Sequence, residues 1–496
     1  MHFSPCLVIA ALSTTVHAFY PYEITLDATP SSSILEKVQR RFMPWILEPN
    51  AEEEDADSEP LSLGIKKLPV RRDYSIIKSS TPSLANSAAL NQDGRDFSYF
   101  SVVQVGSQKK EMWLALDTGA PSTWVFSSSC TDKTCTSHHT FDNKESSSYA
   151  SNSSHVKVGY GSGTIGGDLG QDTISIAGLS VSLSFGSATS ASKAFSSYPI
   201  DGILGLGRSH TAGWTIPSFM DAVAQKKLLK NNLVGFSLSR ANDGDHDGSV
   251  TFGNVDTTKF DGNISYTATN ADTWTIPMDD VYVDGKACNL SDKSATIDTG
   301  TTYILVPPAD AEKVFALIPG SSKSGENYMI PCNSEAILEL SFSGKKYAIT
   351  PEDYVGSRSA DGCVSTIVSH QHSNENTWLV GDVFLKNVYS VFDFDNGQIG
   401  FGTRNSSTTS SPSPGNGTFT APSKSATKSA TATATTTNTN ANLDASTDAA
   451  TISAGTSTDS AASTATIESA PTNAATRISF RAGWILLTFC TGMLML

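Results

Sequence analysis

The tripeptide Asp-Thr-Gly occurs twice in this chain of 496 residues, at Asp117-Thr118-Gly119 and at Asp298-Thr299-Gly300. Each aspartate follows an apolar, strand-like run, and each glycine allows the backbone to turn sharply out of that run. The copies lie about 180 positions apart, which is roughly the length of one domain. If the fold brings the two turns together, the carboxylates cannot both ionise, and they share a proton. Such a pair acts as base and acid in one step, which predicts hydrolysis by an activated water.

The elements that must position this pair lie between residues 96 and 405. Short runs rich in Val, Ile, Phe, Tyr and Thr alternate there with clusters of Gly, Asn, Asp and Ser, which predicts a mainly β core. Helical patterning is confined to 216–228 and 308–317. Each Asp-Thr-Gly is followed, at a similar distance, by an apolar-apolar-Gly segment, Ile203-Leu204-Gly205 and Leu379-Val380-Gly381. This internal repeat predicts two lobes, an N-terminal lobe over 96–265 and a C-terminal lobe over 266–405.

The composition indicates a secreted protein. The formal net charge of −15 argues against nucleic acid as a partner, and only 17% of the residues are charged. Residues 1–18 contain a short apolar run and end in Val16-His17-Ala18, which is typical of a cleaved signal peptide. We expect a pro-segment over 19–72, removed by cleavage after Arg71-Arg72, and a linker to the mature core over 73–95. The alternative is that 19–72 is only a charged linker.

The C-terminal part predicts a surface anchor. Residues 406–473 are rich in Ser, Thr and Ala, cannot bury a core, and indicate a glycosylated stalk. Residues 474–496 contain a polar spacer and an apolar tail too short to span a bilayer, which is the pattern of a glycolipid (GPI) anchor signal. We expect Asn473 as the attachment residue, and the outer membrane leaflet or the cell wall as the location. Sequons for N-glycosylation stand at Asn152, Asn263, Asn289, Asn405 and Asn416.

Of the seven cysteines, Cys6 and Cys490 lie in the segments predicted to be removed. In an oxidising compartment the others should pair. Cys130 and Cys135 are close enough to close a small loop, Cys332 and Cys363 bracket one segment, and Cys288 is left as a free thiol. Because no Cys or His grouping has zinc spacing, we expect no metal. The doublet His138-His139 is expected in a solvated loop.

From about Phe97 to Gly402 the sequence resembles the pepsin-like aspartic proteases. The similar segments are FSYFSVVQVG, DTGAPSTWV, VGYGSGTIGG, DGILGLG, DTGTTYILV and TWLVGDVFLKNVYSVFDFDNGQIGF. The resemblance implies a bilobal, mainly β fold of two pseudo-symmetric lobes with the active-site cleft between them. It also implies a monomeric endopeptidase that needs no cofactor and acts on proteins and peptides. With the predicted anchor, the chain looks like a fungal surface enzyme, similar to the yapsins and related proteases.

The resemblance assigns roles to individual residues. It implies that Asp117 and Asp298 hold the attacking water, and that Thr118 and Thr299 bridge the lobes. A flap hairpin is expected to cover the substrate, with a tyrosine at its tip that a tryptophan holds by a hydrogen bond. Ala120 stands where the family usually has a serine hydroxyl beside the first aspartate. The remaining implied site residues are Gly119, Gly300 and Thr301 at the turns, Tyr160, Gly161, Ser162 and Trp124 at the flap, and Ile200 and Ile203 in the pocket.

The pocket residues predict a broad apolar specificity. Ile200 stands where an aromatic often occurs, and Ala115 stands where a larger aliphatic is common, so the pocket is roomier and still apolar. Ser162 stands where some lysine-accepting fungal relatives have Asp. The alternative within the class is a processing protease specific for basic sites. An alternative from another class is an inactive surface adhesin on the same fold, which would need a broken aspartate pair or flap.

Overall fold

The computed structural model describes residues 21–27, 74–208, 216–269 and 272–405. The predicted signal peptide, stalk and anchor signal lie outside these ranges, as do most of the predicted pro-segment, Asn416 and Asn473. Every described residue lies in the first of the two units into which the chain divides, Met1–Gly415. Within the described ranges no helix is long and apolar enough to cross a membrane.

A nine-stranded sheet carries the first Asp-Thr-Gly turn, with the strand order β1-β7-β8-β9-β6-β10-β5-β4-β3. A two-residue turn at Ala177 and Gly178 joins β8 to β9, and both residues have positive φ, as a tight hairpin turn requires. The strands are β1 (Pro21–Asp27), β3 (Asn91–Gln92), β4 (Tyr99–Val105), β5 (Lys110–Asp117), β6 (Trp124–Phe126), β7 (Ala150–Tyr160), β8 (Gly163–Ile176), β9 (Leu179–Ala191) and β10 (Gly202–Gly205).

A six-stranded sheet joins the two halves of the chain. Its order is β13-β28-β27-β11-β12-β2, so β2, β11 and β12 from the first half share one sheet with β27 and β28 from the second, and β13 lies at the junction. These strands are β2 (Ser87–Ala89), β11 (Leu233–Ser237), β12 (Ser249–Phe252), β13 (Phe260–Ala268), β27 (Val388–Asp393) and β28 (Gln398–Arg404).

Two sequence predictions need correction at this sheet. The segment 73–95 is not only a linker, because β2 and β3 lie within it and pair with β12 and β4. The predicted lobe boundary between residues 265 and 266 falls inside β13, so the lobes meet within a shared strand ladder.

Three further sheets build the second half of the chain. A five-stranded sheet carries the second Asp-Thr-Gly turn and has the order β14-β17-β26-β18-β25. Its strands are β14 (Thr275–Met278), β17 (Lys293–Ile297), β18 (Ile304–Val306), β25 (Ile367–Ser369) and β26 (Thr377–Val380). The two four-stranded sheets contain β15 (Asp280–Val283), β16 (Lys286–Ala287), β21 (Leu338–Phe342) and β22 (Lys345–Ile349), and β19 (Ser322–Ser324), β20 (Asn327–Ile330), β23 (Val355–Ser359) and β24 (Gly362–Ser365).

The helices of the described ranges are short, and both predicted helical segments are confirmed. Ser218 caps α2 in a reciprocal capping box with Asp221. α3 begins with Pro308, whose fixed φ suits the first helical position. The helices are α1 (Lys133–Thr136), α2 (Phe219–Gln225), α3 (Pro308–Phe315), α4 (Pro351–Tyr354) and α5 (Asp382–Leu385), with a 3-10 helix at Lys193–Ser197.

The internal repeat of the sequence is a repeat of strand pairing. In the first half β10 runs parallel to β5 and antiparallel to β6, and Gly205 is the register partner of Asp117. In the second half β26 runs parallel to β17 and antiparallel to β18, and Val380 is the register partner of Ile297. Each apolar-apolar-Gly segment therefore lies between the strand that precedes an aspartate and the strand that follows its turn. The predicted mainly β fold is confirmed.

Candidate active site

The two aspartates lie at the ends of equivalent strands and face each other across the halves of the chain. Asp117 is the last residue of β5, and Asp298 directly follows β17. Both are fully buried. A Cβ atom added to Gly119 would lie 2.6 Å from Cγ of Asp298, and one added to Gly300 would lie 2.5 Å from Cγ of Asp117. Only glycine therefore permits each turn to approach the carboxyl group of the other half.

Backbone amides hold the two carboxyl groups in nearly equivalent positions. The amide of Gly119 donates to Oδ1 of Asp117 at 2.8 Å and to Oδ1 of Asp298 at 3.0 Å. Asp117 accepts a further amide from Ala120 at 2.9 Å, and Asp298 accepts one from Gly300 at 2.8 Å. Because one nitrogen is within hydrogen-bond distance of both inner oxygens, the carboxyl groups form a single site.

Hydroxyl donors make the pair asymmetric. Oγ1 of Thr301 donates to Oδ2 of Asp298 at 2.5 Å. The equivalent position in the first half is Ala120, and among the described residues no hydroxyl donates to Asp117. A donor stabilises the charged form of the carboxylate that accepts it. The arrangement therefore favours the charge on Asp298 and the proton on Asp117.

The environment keeps a proton on the pair. Burial and the charge of Asp298 raise the pKa of Asp117 well above its usual range. Burial also raises the pKa of Asp298, against the lowering effect of the hydrogen bonds from Thr301 and Gly300. Since the carboxyl groups interact directly, they titrate as a unit in two steps. A site with one proton and one charge over a range of pH follows from this arrangement.

Two threonines connect the turns by reciprocal hydrogen bonds. The amide of Thr118 donates to Oγ1 of Thr299 at 3.1 Å, and the amide of Thr299 donates to Oγ1 of Thr118 at 3.0 Å. Each hydroxyl then donates to a backbone carbonyl of the opposite half, Ile297 and Leu116. The threonines therefore fix the distance between the two halves at the point where the aspartates meet.

The flap hairpin is formed by β7 and β8, and Tyr160 is the last residue of β7. Tyr160 is not a surface aromatic, since only 1% of it is exposed. Nε1 of Trp124 donates to the phenol oxygen at 2.9 Å, and the hydroxyl of Ser122 lies 3.5 Å from that oxygen. Phe195 packs edge-on against both rings, with centroids 6.2 Å from Tyr160 and 5.5 Å from Trp124.

The predicted pocket residues share one buried apolar cluster with the flap tyrosine. This cluster includes Ile200, Ile203 and Ala115 together with Tyr160 and Trp124. At the flap tip Gly161 is exposed, whereas Ser162 is buried and hydrogen-bonds to Tyr198. The flap tyrosine thus packs in the same apolar cluster as the predicted pocket residues, and the hydroxyl groups of Ser162 and Tyr198 are the polar edge of that cluster.

Sequence reasoning missed Asp382, which follows directly after the second apolar-apolar-Gly segment. This residue begins α5 and is 2% exposed, and its Oδ1 has no hydrogen-bond partner among the described residues. Burial raises the pKa of Asp382 well above its usual range, the charge of Lys386 lowers it, and the charge of Asp298 raises it. Its position in the repeat was the available signal, but burial of a polar residue leaves no mark in a local sequence pattern.

The prediction of a solvated loop at His138-His139 is wrong for His138, whereas the side chain of His139 is 36% exposed. His138 is 3% exposed, and its ring stacks on Phe126 with the centroids 4.7 Å apart. The backbone amide of His139 donates to Asp201 at 2.9 Å, and its Nδ1 lies 3.0 Å from the same carboxylate. Asp201 also accepts the amide of Trp113 at 2.8 Å. The fully buried carboxylate needs donors, and it draws the histidine loop inward to obtain them.

The structure contains the disulfides Cys130–Cys135 and Cys332–Cys363, and Cys288 is a buried free thiol. Burial raises the pKa of Cys288 to about 11, so this thiol is unreactive at neutral pH. Cys130, Asp132 and Cys135 form a group of possible metal ligands, but its two cysteines are oxidised and offer no thiolate. Among the predicted sequons Asn152, Asn263 and Asn289 are exposed and Asn405 is half-buried.

The sequence matches the family model of eukaryotic aspartyl proteases over residues 98–404. The aspartic-type endopeptidase ctsD of Aspergillus fumigatus is 48% identical over 82% of this chain and 88% of its own length. The major aspartyl peptidase 1 of Cryptococcus neoformans is 32% identical over 63% of this chain and 70% of its own length. Cathepsin D of Dictyostelium discoideum is 31% identical over 63% of this chain and 84% of its own length.

The chain belongs to the eukaryotic aspartyl proteases. It is an aspartic endopeptidase of the pepsin-like type, which confirms the family resemblance and the class of enzyme. Its substrates are accordingly proteins and peptides. The surface-anchored subtype that resembles the yapsins stays a prediction.

Proposed function

We propose that Asp117 and Asp298 hydrolyse peptide bonds by activating a water molecule between them. The charged carboxylate takes a proton from the water as its oxygen adds to the peptide carbonyl, and the protonated carboxyl donates a hydrogen bond to the carbonyl oxygen. The proton then passes to the amide nitrogen, the C–N bond breaks, and the carbonyl re-forms as a carboxylic acid. Since Thr301 donates to Asp298 and no hydroxyl of the described residues donates to Asp117, Asp298 is the base and Asp117 the acid of the first step.

The observation that carries this proposal is the position of Gly119. Its amide hydrogen-bonds one oxygen of each aspartate, so the two inner oxygens are held within 3.0 Å of a single nitrogen. Two carboxylates that close cannot both be charged at mild pH, and a shared proton is what the mechanism requires. An inactive adhesin on this fold would need neither the intact pair nor the glycines that face it.

The flap supplies the second part of the proposed activity. A hairpin with Tyr160 near its tip must open to admit an extended peptide and then close to exclude water. The buried apolar cluster that contains Ile200 and Ile203 also contains Tyr160, and these apolar neighbours of the flap support cleavage next to apolar or aromatic residues. The hydroxyl of Ser162 at the polar edge carries no charge with which to bind a lysine. The alternative specificity for basic sites therefore stays second.

We further propose that the enzyme is made as a secreted zymogen and displayed at the cell surface. The support is the signal peptide pattern at 1–18, the dibasic site at Arg71-Arg72, and the anchor pattern at 474–496. The formal net charge of −15 suits a protein that stays soluble in mildly acidic surroundings. N-terminal sequencing of the secreted protein should give Asp73, and a start well before residue 60 would overturn the processing site. Deleting 477–496 should release active enzyme into the medium, whereas retention on the cell would refute the anchor.

The activity is tested with the purified full chain after acid processing. It should cleave a denatured protein at acidic pH, and the transition-state mimic pepstatin should inhibit it. Asp117→Asn and Asp298→Asn should each abolish turnover, while Asp261→Asn, at an exposed aspartate on β13, should leave it unchanged. Pepstatin-sensitive turnover by Asp298→Asn at more than a few per cent of the natural rate would refute the assignment of the pair.

Specificity is tested with a peptide library and the same enzyme. We expect cuts flanked by apolar or aromatic residues on both sides. A dominant requirement for Lys or Arg before the cut would favour the processing protease instead.

A further inference from the structure

The outer edge of the flap is occupied by a strand from the N-terminal segment. β1 pairs antiparallel with β7, and the ladder runs from Pro21 opposite Tyr160 to Asp27 opposite His155. On its other side β7 pairs with β8 from Ala150 to Tyr160, with an irregularity between Ser151 and His155. The flap strand is therefore an interior strand of the nine-stranded sheet, and β1 is the edge.

Without β1, the outer edge of β7 would present a row of unpaired backbone donors and acceptors. Such an edge is a template for any extended chain that approaches it. The ladder reaches Tyr160 itself, so it covers the part of β7 that leads to the flap tip. A strand hydrogen-bonded there ties the flap to a further segment and opposes its opening.

The sequence of β1 complements that of β7 in register. β7 alternates buried Val156 and Val158 with exposed His155 and Lys157. The register places Leu26 and Ile24 opposite the two valines, whereas Asp27 stands opposite His155. Residues directly opposite each other in an antiparallel pair share one face of the sheet. Along this ladder the register therefore pairs apolar residue types with apolar residue types, and an acidic residue type with a histidine.

We infer that the outer edge of β7 is a binding surface for an extended peptide strand, that residues 21–27 are its occupant, and that this strand restrains the flap in the unprocessed chain. The inference rests on the proposed function, in which the flap opens to admit substrate. β1 lies inside the segment 19–72, so cleavage after Arg72 separates it from the catalytic core. The restraint is then lost by dissociation of a strand, and no residue of the aspartate pair has to move.

Disulfide trapping in the full chain tests the register. Thr25 stands opposite the exposed Lys157, and facing pairs have Cβ atoms about 4.5–5.5 Å apart, close to disulfide geometry. Thr25→Cys with Lys157→Cys should link under mild oxidation, as peptide mapping would show. The matched control is Thr25→Cys with His155→Cys, which lies two positions away on the same face and should link at least tenfold more slowly. Equal linking of both pairs would overturn the register.

Activity tests the restraint. For this test a protease site is inserted after residue 30, and the disulfide-linked chain is cut there and after Arg72. The engineered disulfide then keeps β1 attached to the catalytic core, while the rest of the segment up to Arg72 is released. The kcat/KM of this linked enzyme should be at least tenfold lower than after mild reduction of the engineered bond. Equal activity before and after reduction would overturn the restraint, even with the correct link. If the reduced enzyme has no acid peptidase activity, the proposed function fails, while the linking pattern still decides whether the strand binds.

Hydrogen exchange on the natural chain gives a second measurement that needs no cysteine variant. Cleavage after Arg72 should speed exchange at least tenfold for those backbone amides of 155–160 that face β1, because only these amides lose their hydrogen-bond partners. The amides paired with β8 should keep their rates and serve as the internal control. Unchanged exchange over the whole of 155–160 would overturn the inference.

Discussion

Asp117 has no hydroxyl donor within the described ranges, which should shape the pH profile of the enzyme, and Ala120→Ser tests this. Each aspartate accepts two backbone amides at 2.8 to 3.0 Å, so the hydroxyl of Thr301 is the main difference between them. A serine at position 120 would give Asp117 an equivalent donor. Because a donor stabilises the charged carboxylate, the pKa values of the pair should fall and both limbs of activity should move to lower pH.

The size of each shift follows from counting the charged forms. Suppose that a hydroxyl favours the charged form of its own aspartate about tenfold, or about 1.4 kcal/mol, which is ordinary for a hydrogen bond to a charged group. In the natural chain the single charge then lies on Asp298 in about ten molecules of eleven. Ala120→Ser makes the two singly charged forms equal, which nearly doubles their combined weight and lowers the first pKa of the pair by about 0.3 unit. The doubly charged form gains the full factor of ten, so the second pKa falls by about 0.7 unit.

Thr301→Val provides the mirror image. It removes the donor from the aspartate that carries the charge, so the acidic limb should rise by about 0.7 unit and the alkaline limb by about 0.3 unit. The assay is kcat/KM against pH for the three proteins on one peptide, within the range where all remain folded. An alkaline limb that stays in place in Ala120→Ser, or that moves upward, would refute the account of the pair. In Ala120→Ser, a larger shift on the acidic limb than on the alkaline limb would also refute it.

Three other predictions concern the pair, the buried acid and the disulfides. Asp298→Asn should lower kcat at least 1,000-fold, as expected for one half of a coupled unit, and native circular dichroism would exclude misfolding as the cause. Asp382 binds its proton more tightly when folded, so the free energy of unfolding should fall as pH rises from about 4 through its raised pKa. Asp382→Asn should remove that loss, about 1.4 kcal/mol for each unit by which the pKa is raised; equal urea midpoints for the two proteins at neutral pH would contradict this. Replacing the Cys332–Cys363 disulfide by alanines should cost about 4 kcal/mol in urea unfolding, against about 2 for Cys130–Cys135, because it closes a longer loop. Equal losses would exclude loop closure as the cause.

The catalytic turns were predictable because their signal is local and repeated. Asp117 and Asp298 each end an apolar strand in an unusual tripeptide, and the spacing of the copies implies two halves. β1 carried a signal that was not used, since Tyr22, Ile24 and Leu26 alternate with polar residues as an edge strand does.

The parts that could not be predicted depend on distant neighbours. β2 and β3 are two or three residues long, and Asn91-Gln92 has no apolar alternation, so only pairing with other strands makes them part of a sheet. The burial of Asp382 and of His138 depends on partners far along the chain. A polar residue in a turn has the same local pattern whether it meets water or Asp201, and only the tertiary fold decides between them.

Because a glycine of each half faces the aspartate of the other, each half of the chain depends on the sequence of the other. A side chain at Gly119 would collide with Asp298, and one at Gly300 would collide with Asp117. Neither half can therefore change its turn without damaging the acid contributed by its counterpart. A half expressed alone would present one carboxylate and an unfilled recess, and it could regain a complete site only by associating with a half that carries the same glycine. The two halves thus fit together only because Gly119 and Gly300 lack the Cβ atom that any other residue would have.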